Sequence, residues 1–381
     1  MKKLFLIMLA VAMVFTAAGC SKKEPVEELT GVAKVVADAS GMTVDELLAK
    51  AKEETGDFHV YSTSSKTDKV VKAFAEKYGL SGDFSSTNVK EKDFYSTIEE
   101  LVDAENTSTD YFVTQNAVSV GQEIKAGRFI NYVPVVEGAA KSNAYAFMYY
   151  TKEFSVKKEF TDTLGLKNVW DLTDDGFDSA IIFKKEGEPV NELMMMEMTT
   201  EKWAKSLEEA YDAKYGKGEC AKALKETGLQ TAGHLFIQKF LPKTTNNSSE
   251  GDIAKAIVAS TTPTVGFGTV SKYKASGEPS ISEITRLNEM QGFKGFIYQF
   301  YAQVSKSTDR PYTALLFSNY LATEEGVKGF IGSDMGIYSS TSTVTKNLAA
   351  VTEGYIMENY DELKEIYAET LEFIEKVRAG Q

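Results

Sequence analysis

Apolar positions along the chain follow two alternating rhythms. Short runs with the look of buried strands occur at Phe58-His-Val-Tyr61, at Phe84 to Thr87 and at Asp110-Tyr-Phe-Val113. Between them the spacing is helical: Val70, Val71, Phe74 and Tyr78 follow the polar turn Ser62 to Asp68, and Phe94, Ile98, Leu101 and Val102 follow Asp93. Gly79 and Gly82 break the first of these helices. Strands alternating with helices of this length predict an α/β fold, with a mostly parallel sheet covered on both faces.

The middle of the chain is less regular. Tyr145-Ala-Phe-Met-Tyr-Tyr150 reads as a long aromatic strand, followed by Val169-Trp-Asp-Leu172 and Ile181-Ile-Phe183. Residues 192–240 read as helical, Lys243 to Gly251 as a polar loop, and Thr264-Val-Gly-Phe-Gly-Thr-Val270 as a strand. Short strands over 281–287 and 296–303 precede a helix near 311–322. A final amphipathic helix carries Leu363, Ile366, Tyr367, Leu371, Ile374 and Val377. An earlier helix starts at Thr43, because Thr43-x-x-Glu46 is a capping box in which hydroxyl and carboxylate each accept from an otherwise unpaired N–H.

The N-terminal pattern differs from all of this. Lys2 and Lys3 precede an apolar run from Leu4 to Phe15, shorter than the ~20 residues a spanning helix needs, and Thr16-Ala-Ala-Gly-Cys20 follows. The segment resembles a bacterial lipoprotein signal, with Ala17 where that signal prefers Leu; the resemblance implies cleavage before Cys20 and acylation of its thiol. Residues 21–42, charged and aperiodic at their start, read as a tether.

The net charge of −13 and the lack of a basic run argue against nucleic acid or anionic lipid as partners. Hydrophobic residues at 43% suffice for sizeable cores. With Cys20 acylated, Cys220 has no partner for a disulfide and reads as an inert buried thiol. Two histidines, His59 and His234, exclude His-rich zinc sites.

The order of segments is similar to that of the extracellular solute-binding proteins that include ferric-ion, thiamine, phosphonate and polyamine binders. The resemblance rests on Val60-Tyr-Ser62, Leu101-Val-Asp-Ala-Glu105 before Asp110-Tyr-Phe112, Gly127-Arg-Phe-Ile-Asn-Tyr-Val-Pro134, Met148-Tyr-Tyr-Thr151, Val169-Trp-Asp-Leu-Thr173, Val265-Gly-Phe-Gly268 and the stretch from Arg310 to Gly326. It implies a two-lobed type II periplasmic-binding-protein clamp, each lobe a mostly parallel sheet flanked by helices, joined by two crossing segments. The implied division is signal 1–20, tether 21–42, first lobe 43–147 plus 271–340, second lobe 148–270, and C-terminal helices 341–381 packed on a lobe. A small polar, anionic organic ligand would sit in the cleft, at the carboxyl ends of the strands. The partners implied are an ABC permease and its ATPase, with a lipid as the sole membrane attachment of a monomer. The alternatives are a ferric-ion-binding protein of an iron importer and an extracellular sensor subunit.

Several residues are candidates for ligand contact. Thr63, Ser64 and Ser65 lie between a strand and a helix start, where N–H groups and the helix dipole favour an anion; one hydroxyl is also expected to cap the helix. Thr114, Gln115 and Asn116 follow the third strand at the same sheet edge. Tyr149 and Tyr150 begin the crossing, and strand alternation sends them to opposite faces. Phe267 lies between Gly266 and Gly268 on the expected return, where the glycines suit either hinge motion or tight packing. Lys184 and Tyr338 are weaker candidates.

Metal and enzyme chemistry find little support. Met194-Met-Met-Glu-Met198 would not converge on a soft metal from one helix and reads as core packing. The adjacent tyrosines that ferric binders carry on the return crossing are replaced by Val265-Gly-Phe-Gly-Thr269. Phosphate-loop and nucleophile-elbow motifs are absent, and Ser155-x-x-Lys158 lacks its accompanying elements. No cofactor is expected.

Overall fold

The computed structural model describes residues 29–104, 109–184, 186, 188–247, 249–274, 279–332 and 335–380. Cys20 and the apolar run before it lie outside the described residues. The first described helices are α1 (Gly31–Asp38) and α2 (Val44–Ala51). The capping box forms as expected: Glu46 N–H donates to Thr43 Oγ1 over 3.2 Å and Thr43 N–H to Glu46 Oε2 over 2.7 Å. Part of the expected tether is therefore helical, because Val36 and Ala39 find buried positions on the body of the protein.

The α/β alternation then proceeds through β1 (Phe58–Ser62), α3 (Thr67–Tyr78), β2 (Phe84–Asn88), α4 (Glu91–Asp103), β3 (Tyr111–Thr114) and α5 (Ala117–Lys125). β1 alternates, with Phe58, Val60 and Ser62 buried, and its parallel partners are β2 and β3. α3 turns Val70, Val71 and Phe74 inward and stops at Gly79, whose φ of +62° closes the helix in the left-handed conformation. Burying one such Phe contributes roughly 1.5–3 kcal/mol.

After β4 (Phe129–Ile130), the strand β5 (Ala146–Lys157) runs from the first lobe into the second, where α6 (Thr161–Leu164) and β6 (Ala180–Phe183) follow. Val169 to Thr173 forms a 3₁₀ turn, not a strand. Asn168 Oδ1 accepts from Trp170 N–H over 3.0 Å and Asp171 Oδ2 from Asn168 N–H over 2.9 Å, so local side-chain bonds outcompete extension.

The helical region resolves into α7 (Pro189–Thr199), α8 (Glu201–Tyr215), α9 (Glu219–Thr227) and α10 (Ala232–Phe240). Next come β7 (Thr244–Thr245), α11 (Glu250–Ala259), β8 (Thr264–Thr269), β9 (Ile284–Arg286) and β10 (Gly295–Ser305). The chain ends in α12 (Pro311–Leu321), α13 (Glu324–Ile331), β11 (Ile337–Ser339), α14 (Leu348–Thr352), β12 (Tyr355–Met357) and α15 (Tyr360–Arg378).

All described strands join one sheet with the path β2-β1-β3-β10-β5-β8-β6-β7. Both ends of the path are parallel, whereas β10 is antiparallel to β3 and β5, and β5 to β8. The return crossing is β10 rather than β8. β8 pairs with the far half of β5 and with β6, and the chain up to Gln291 stays with the second lobe: β9 pairs with Ser155 to Lys157, and Val169 N–H donates to Gln291 O over 3.0 Å. The glycines of β8 serve packing, since a Cβ on Gly266 would lie 2.6 Å from Ile257 Cδ1 of α11.

The C-terminal helix touches both lobes instead of one. Tyr360 packs so closely on α5 that a Cβ on Gly121 would lie 2.2 Å from its ring, and Arg378 pairs with Glu192 of α7 at 2.8 Å.

Candidate functional site

A cavity of 410 Å³ opens between the lobes, with walls from the loops that follow β1, β3 and β8 and from the start of α11. Thr63, Ser64, Ser65 and Lys66 form one wall. Ser62 Oγ shares a 2.6 Å hydrogen bond with Thr67 Oγ1 and accepts from Ser64 N–H over 3.0 Å, which holds the turn in place. The helix α3 has Lys66 at its N-cap and no side-chain cap, so the hydroxyls are not spent as the expected cap. Oγ1 of Thr63 is shut from solvent and has no hydrogen-bond partner among the described residues. Lys66 Nζ donates to Phe330 O over 2.5 Å, which steadies its stem at the cleft wall.

The facing wall comes from Ser249, Glu250 and Gly251 at the N-terminus of α11, and from Thr269, Ser271 and Lys272 after β8. Ser249 caps α11 by accepting from Asp252 N–H over 3.2 Å. Two helix N-termini, one from each lobe, thus meet at one cavity, each presenting first-turn N–H groups that the helix itself cannot pair.

The floor is the crossing ribbon. Tyr150 on β5 stands opposite Tyr298 on β10, their ring centroids 5.4 Å apart, and Phe300 lies 4.9 Å from Tyr150. Burial raises the Tyr298 phenol well above its ordinary pKa, so this hydroxyl stays protonated.

Under the floor lies a buried charge cluster. Lys152 Nζ, fully buried, donates to Glu188 Oε1 at 2.9 Å, Asn191 Oδ1 at 2.8 Å and Glu250 Oε1 at 3.0 Å. Burial opposes its charge, but the two carboxylates outweigh that and raise its pKa. Burial likewise works against ionised Glu188, and Lys152 and Lys184 reverse it, holding that carboxyl below the usual range. Glu250 turns its second oxygen to Thr269, accepting from the N–H over 2.7 Å and the hydroxyl over 3.2 Å. Two lysines and two glutamates balance, so Glu250 adds no uncompensated negative charge to the cleft.

The structure brings Thr63, Ser64, Ser65, Gln115 and Tyr150 onto this cavity and places the other candidates elsewhere. Thr114 is buried beneath it, 3.3 Å from the Tyr95 hydroxyl. Asn116, at φ +79°, caps α5 by accepting from Ser119 N–H over 3.0 Å. Tyr149 lies on the opposite face of β5, as alternation predicts, and Tyr338 pairs with it in register. Phe267 is a core residue 4.8 Å from Phe154 and 5.6 Å from Phe183. Lys184 reaches the cleft only indirectly, through its pair with Glu188 at 2.5 Å. Cys220 is buried, and burial pushes its thiol up to about 11.

Sequence reasoning missed the second-lobe wall. Its signal was present: Thr244 to Ser249 is a run of hydroxyl and amide residues that ends on a helix cap. Tyr298 and Phe300 were hidden because β10 was not recognised as a crossing. Among the described residues no group of three or more His, Cys, Asp or Glu is placed to hold a metal ion. Nor is any helix there long and apolar enough to cross a membrane.

No protein-family model matches the chain, and no curated protein matches it in sequence. Solved structures share its fold. Iron-bound HitA from Pseudomonas aeruginosa superposes with a TM-score of 0.62 at 15% identity, over 85% of this chain and 99% of that one. The Trichodesmium protein IdiA (FutA), in complex with iron and citrate, gives 0.60 at 14% over 84% and 99%. The periplasmic binding protein AfuA from Actinobacillus pleuropneumoniae, with fructose-6-phosphate bound, gives 0.58 at 14% over 84% and 99%. The fold is the two-lobed type II periplasmic-binding-protein fold.

Proposed function

We propose that this chain is the substrate-binding component of an ABC importer and captures a small anionic organic solute between its lobes. The observation that carries this reading is the meeting of two helix N-termini, one from each lobe, at a cavity that also receives Lys66 and Lys272. Donors and cations converge from both sides, while Lys152 neutralises Glu250. A ligand touching both walls favours the closed arrangement by differential affinity, and the permease and its ATPase would receive that closed form. The cavity lining offers hydroxyls, lysine ammonium groups and phenols suited to holding a ligand, which supports capture as the role.

The ligands named for the structural neighbours, a sugar phosphate and iron with citrate, are both compatible with such a cleft. Tyr150 and Tyr298 on the floor favour ferric ion as a second reading, since phenolates bind it. Against that, Tyr298 is held protonated and both oxygens of Glu250 are engaged.

Thermal unfolding in the presence of inorganic phosphate, sugar monophosphates, carboxylates and ferric citrate separates the two readings, because a binder raises the midpoint by mass action. The anion reading expects a shift with an iron-free phosphate or carboxylate that is lost in Lys66→Gln/Lys272→Gln. A shift with ferric citrate alone, with a coloured complex abolished by Tyr150→Phe, would establish the iron reading instead. The chain would act outside the cytoplasm, held by an acyl group on Cys20 and working as a monomer.

A further inference from the structure

Strand β10 separates two cavities. Tyr298 and Phe300 face the cleft, whereas Gln299 and Tyr301 face a larger cavity of 740 Å³ on the other side of the crossing ribbon. Its walls come from α5 of the first lobe, from the α7–α8 junction of the second, and from the C-terminal segment around Glu358 to Tyr360.

Glu197 stands on this wall, inside the methionine run of α7. Met194, Met195, Met196 and Met198 are all buried, as their apolar side chains dictate, but Glu197 is buried with them at 1% exposure. Its Oε1 accepts from Asn359 N–H over 2.6 Å; its Oε2 has no hydrogen-bond partner, and no cation pairs with it, among the described residues. Oε2 is not among the partnerless side-chain atoms sealed from solvent, so it opens on the cavity and is available to a ligand. Glu358 on the same wall is different in kind. It accepts from Ala117 N–H at 3.0 Å, Gln299 N–H at 2.8 Å and the Tyr301 hydroxyl at 3.3 Å, so its oxygens are occupied in joining β10, β12 and α5.

We infer that this cavity is a second binding site, in which Glu197 pairs with the ammonium group of a small organic monocation and Trp203 and Tyr301 enclose its apolar part. Both rings are buried and line the cavity; Lys202 Nζ already lies 4.6 Å from the centre of the Trp203 ring, so the indole is left to pack on the alkyl stem rather than on the ammonium. On the lining Lys125, Lys141 and Lys202 match Glu358, Asp361 and Glu362 in number, which leaves Glu197 as the one carboxyl over and favours a monoamine above a diamine.

Burial raises the Glu197 carboxyl to about 8, with Glu362 and Glu358 adding to the rise and Lys202 opposing it. Asp361, paired with Lys364 at 2.8 Å, also lines the cavity. Pairing with an ammonium requires the ionised form, so binding below that value releases a proton.

The test is calorimetric titration with n-butylamine hydrochloride, compared with 1,4-diaminobutane and with n-butanol as the uncharged control. The expected result is saturable binding of the monoamine that strengthens about tenfold from pH 6 to 7 and about fivefold from pH 7 to 8. Glu197→Gln should abolish it while the unfolding midpoint is kept or raised. A Ser64→Ala/Ser65→Ala variant, altered in the cleft alone, should bind the amine as the parent does, which keeps this site separable from the anion reading. Absence of binding at every pH, unchanged affinity in Glu197→Gln, or loss in the cleft variant would each overturn the assignment.

Discussion

Lys152 Nζ and Glu250 Oε1 meet 3.0 Å apart where the first crossing strand passes beneath the ligand cavity. Through this bond the start of α11, which forms the second-lobe wall, is tied directly to β5, the strand shared by both lobes. Lys152 also holds Glu188 and Asn191 of the α7 start. Removing its ammonium leaves Glu250 without a cation and Glu188 with Lys184 alone. Lys152→Met should therefore lose roughly 3–5 kcal/mol of unfolding free energy, the usual scale for breaking a buried pair from one side. Adding Glu250→Gln should recover part of that loss, because the orphaned charge disappears. Urea unfolding of the single and double variants reads both quantities; a single variant as stable as the parent would contradict the cluster's role.

The buried acids set the sign of the pH dependence. Glu197 is raised to about 8 and Glu358 to about 7, both mainly by burial. Between the unfolded value near 4.5 and these folded values, the native state holds protons that the unfolded chain has released. Stability must then fall as pH rises through this window, by at most about 1.4 kcal/mol per pH unit for each carboxyl. Glu188 is lowered, so its contribution is lost in the other direction, as pH falls through its folded pKa below the usual range. Urea midpoints between pH 5 and 8.5 should decline with pH, and Glu197→Gln should flatten the decline. A parent profile already flat over that range would remove these groups as its cause.

Local rules made the first lobe legible. The capping box at Thr43, the helical spacing of Val70 to Phe74 and the alternation of Tyr149 and Tyr150 depend on neighbours in sequence, and each took its expected form. The 3₁₀ turn at Val169 was lost because Trp170 and Leu172 look like strand residues, and the decisive bonds come from Asn168 and Asp171. The return crossing was misplaced for a different reason. β8 and β10 are both apolar strands; only long-range pairing tells which of them reaches β3. That one misplacement concealed Tyr298 and Phe300. The burial of Lys152 and Glu197 was equally hidden, since a charged residue in an apolar run shows its sequence context but not its partner.

The proposed anchoring by Cys20 has its own consequence. If the acyl chain is the membrane attachment, Cys20→Ser should release the protein from the cell envelope while leaving its fold unchanged. Metabolic labelling with a fatty acid should mark the parent and not the variant. An unlabelled parent that still sediments with membranes would show that another contact holds it.

The cleft hydroxyls give the sharpest test of ligand contact. Since α3 begins without a side-chain cap, Thr63→Ala and Ser65→Ala remove no helix-capping bond and should change unfolding stability by less than the ~1 kcal/mol typical of a lost cap. Thr63 Oγ1 is already without a partner among the described residues, so its removal relieves a small desolvation cost in the empty protein. In the complex the same atom would have the ligand as partner. Affinity for the phosphate or carboxylate that raises the unfolding midpoint most should then fall by roughly 1–2 kcal/mol in at least one of Thr63→Ala, Ser64→Ala and Ser65→Ala. Ser64→Ala removes in addition the acceptor 3.4 Å from Lys66 N–H, a long bond whose loss should cost little. Calorimetric binding and denaturant unfolding on the same three variants separate the outcomes. Weakened binding with intact stability places the ligand against this turn. Lowered stability with parental affinity in all three would confine the turn to holding β1 against α3.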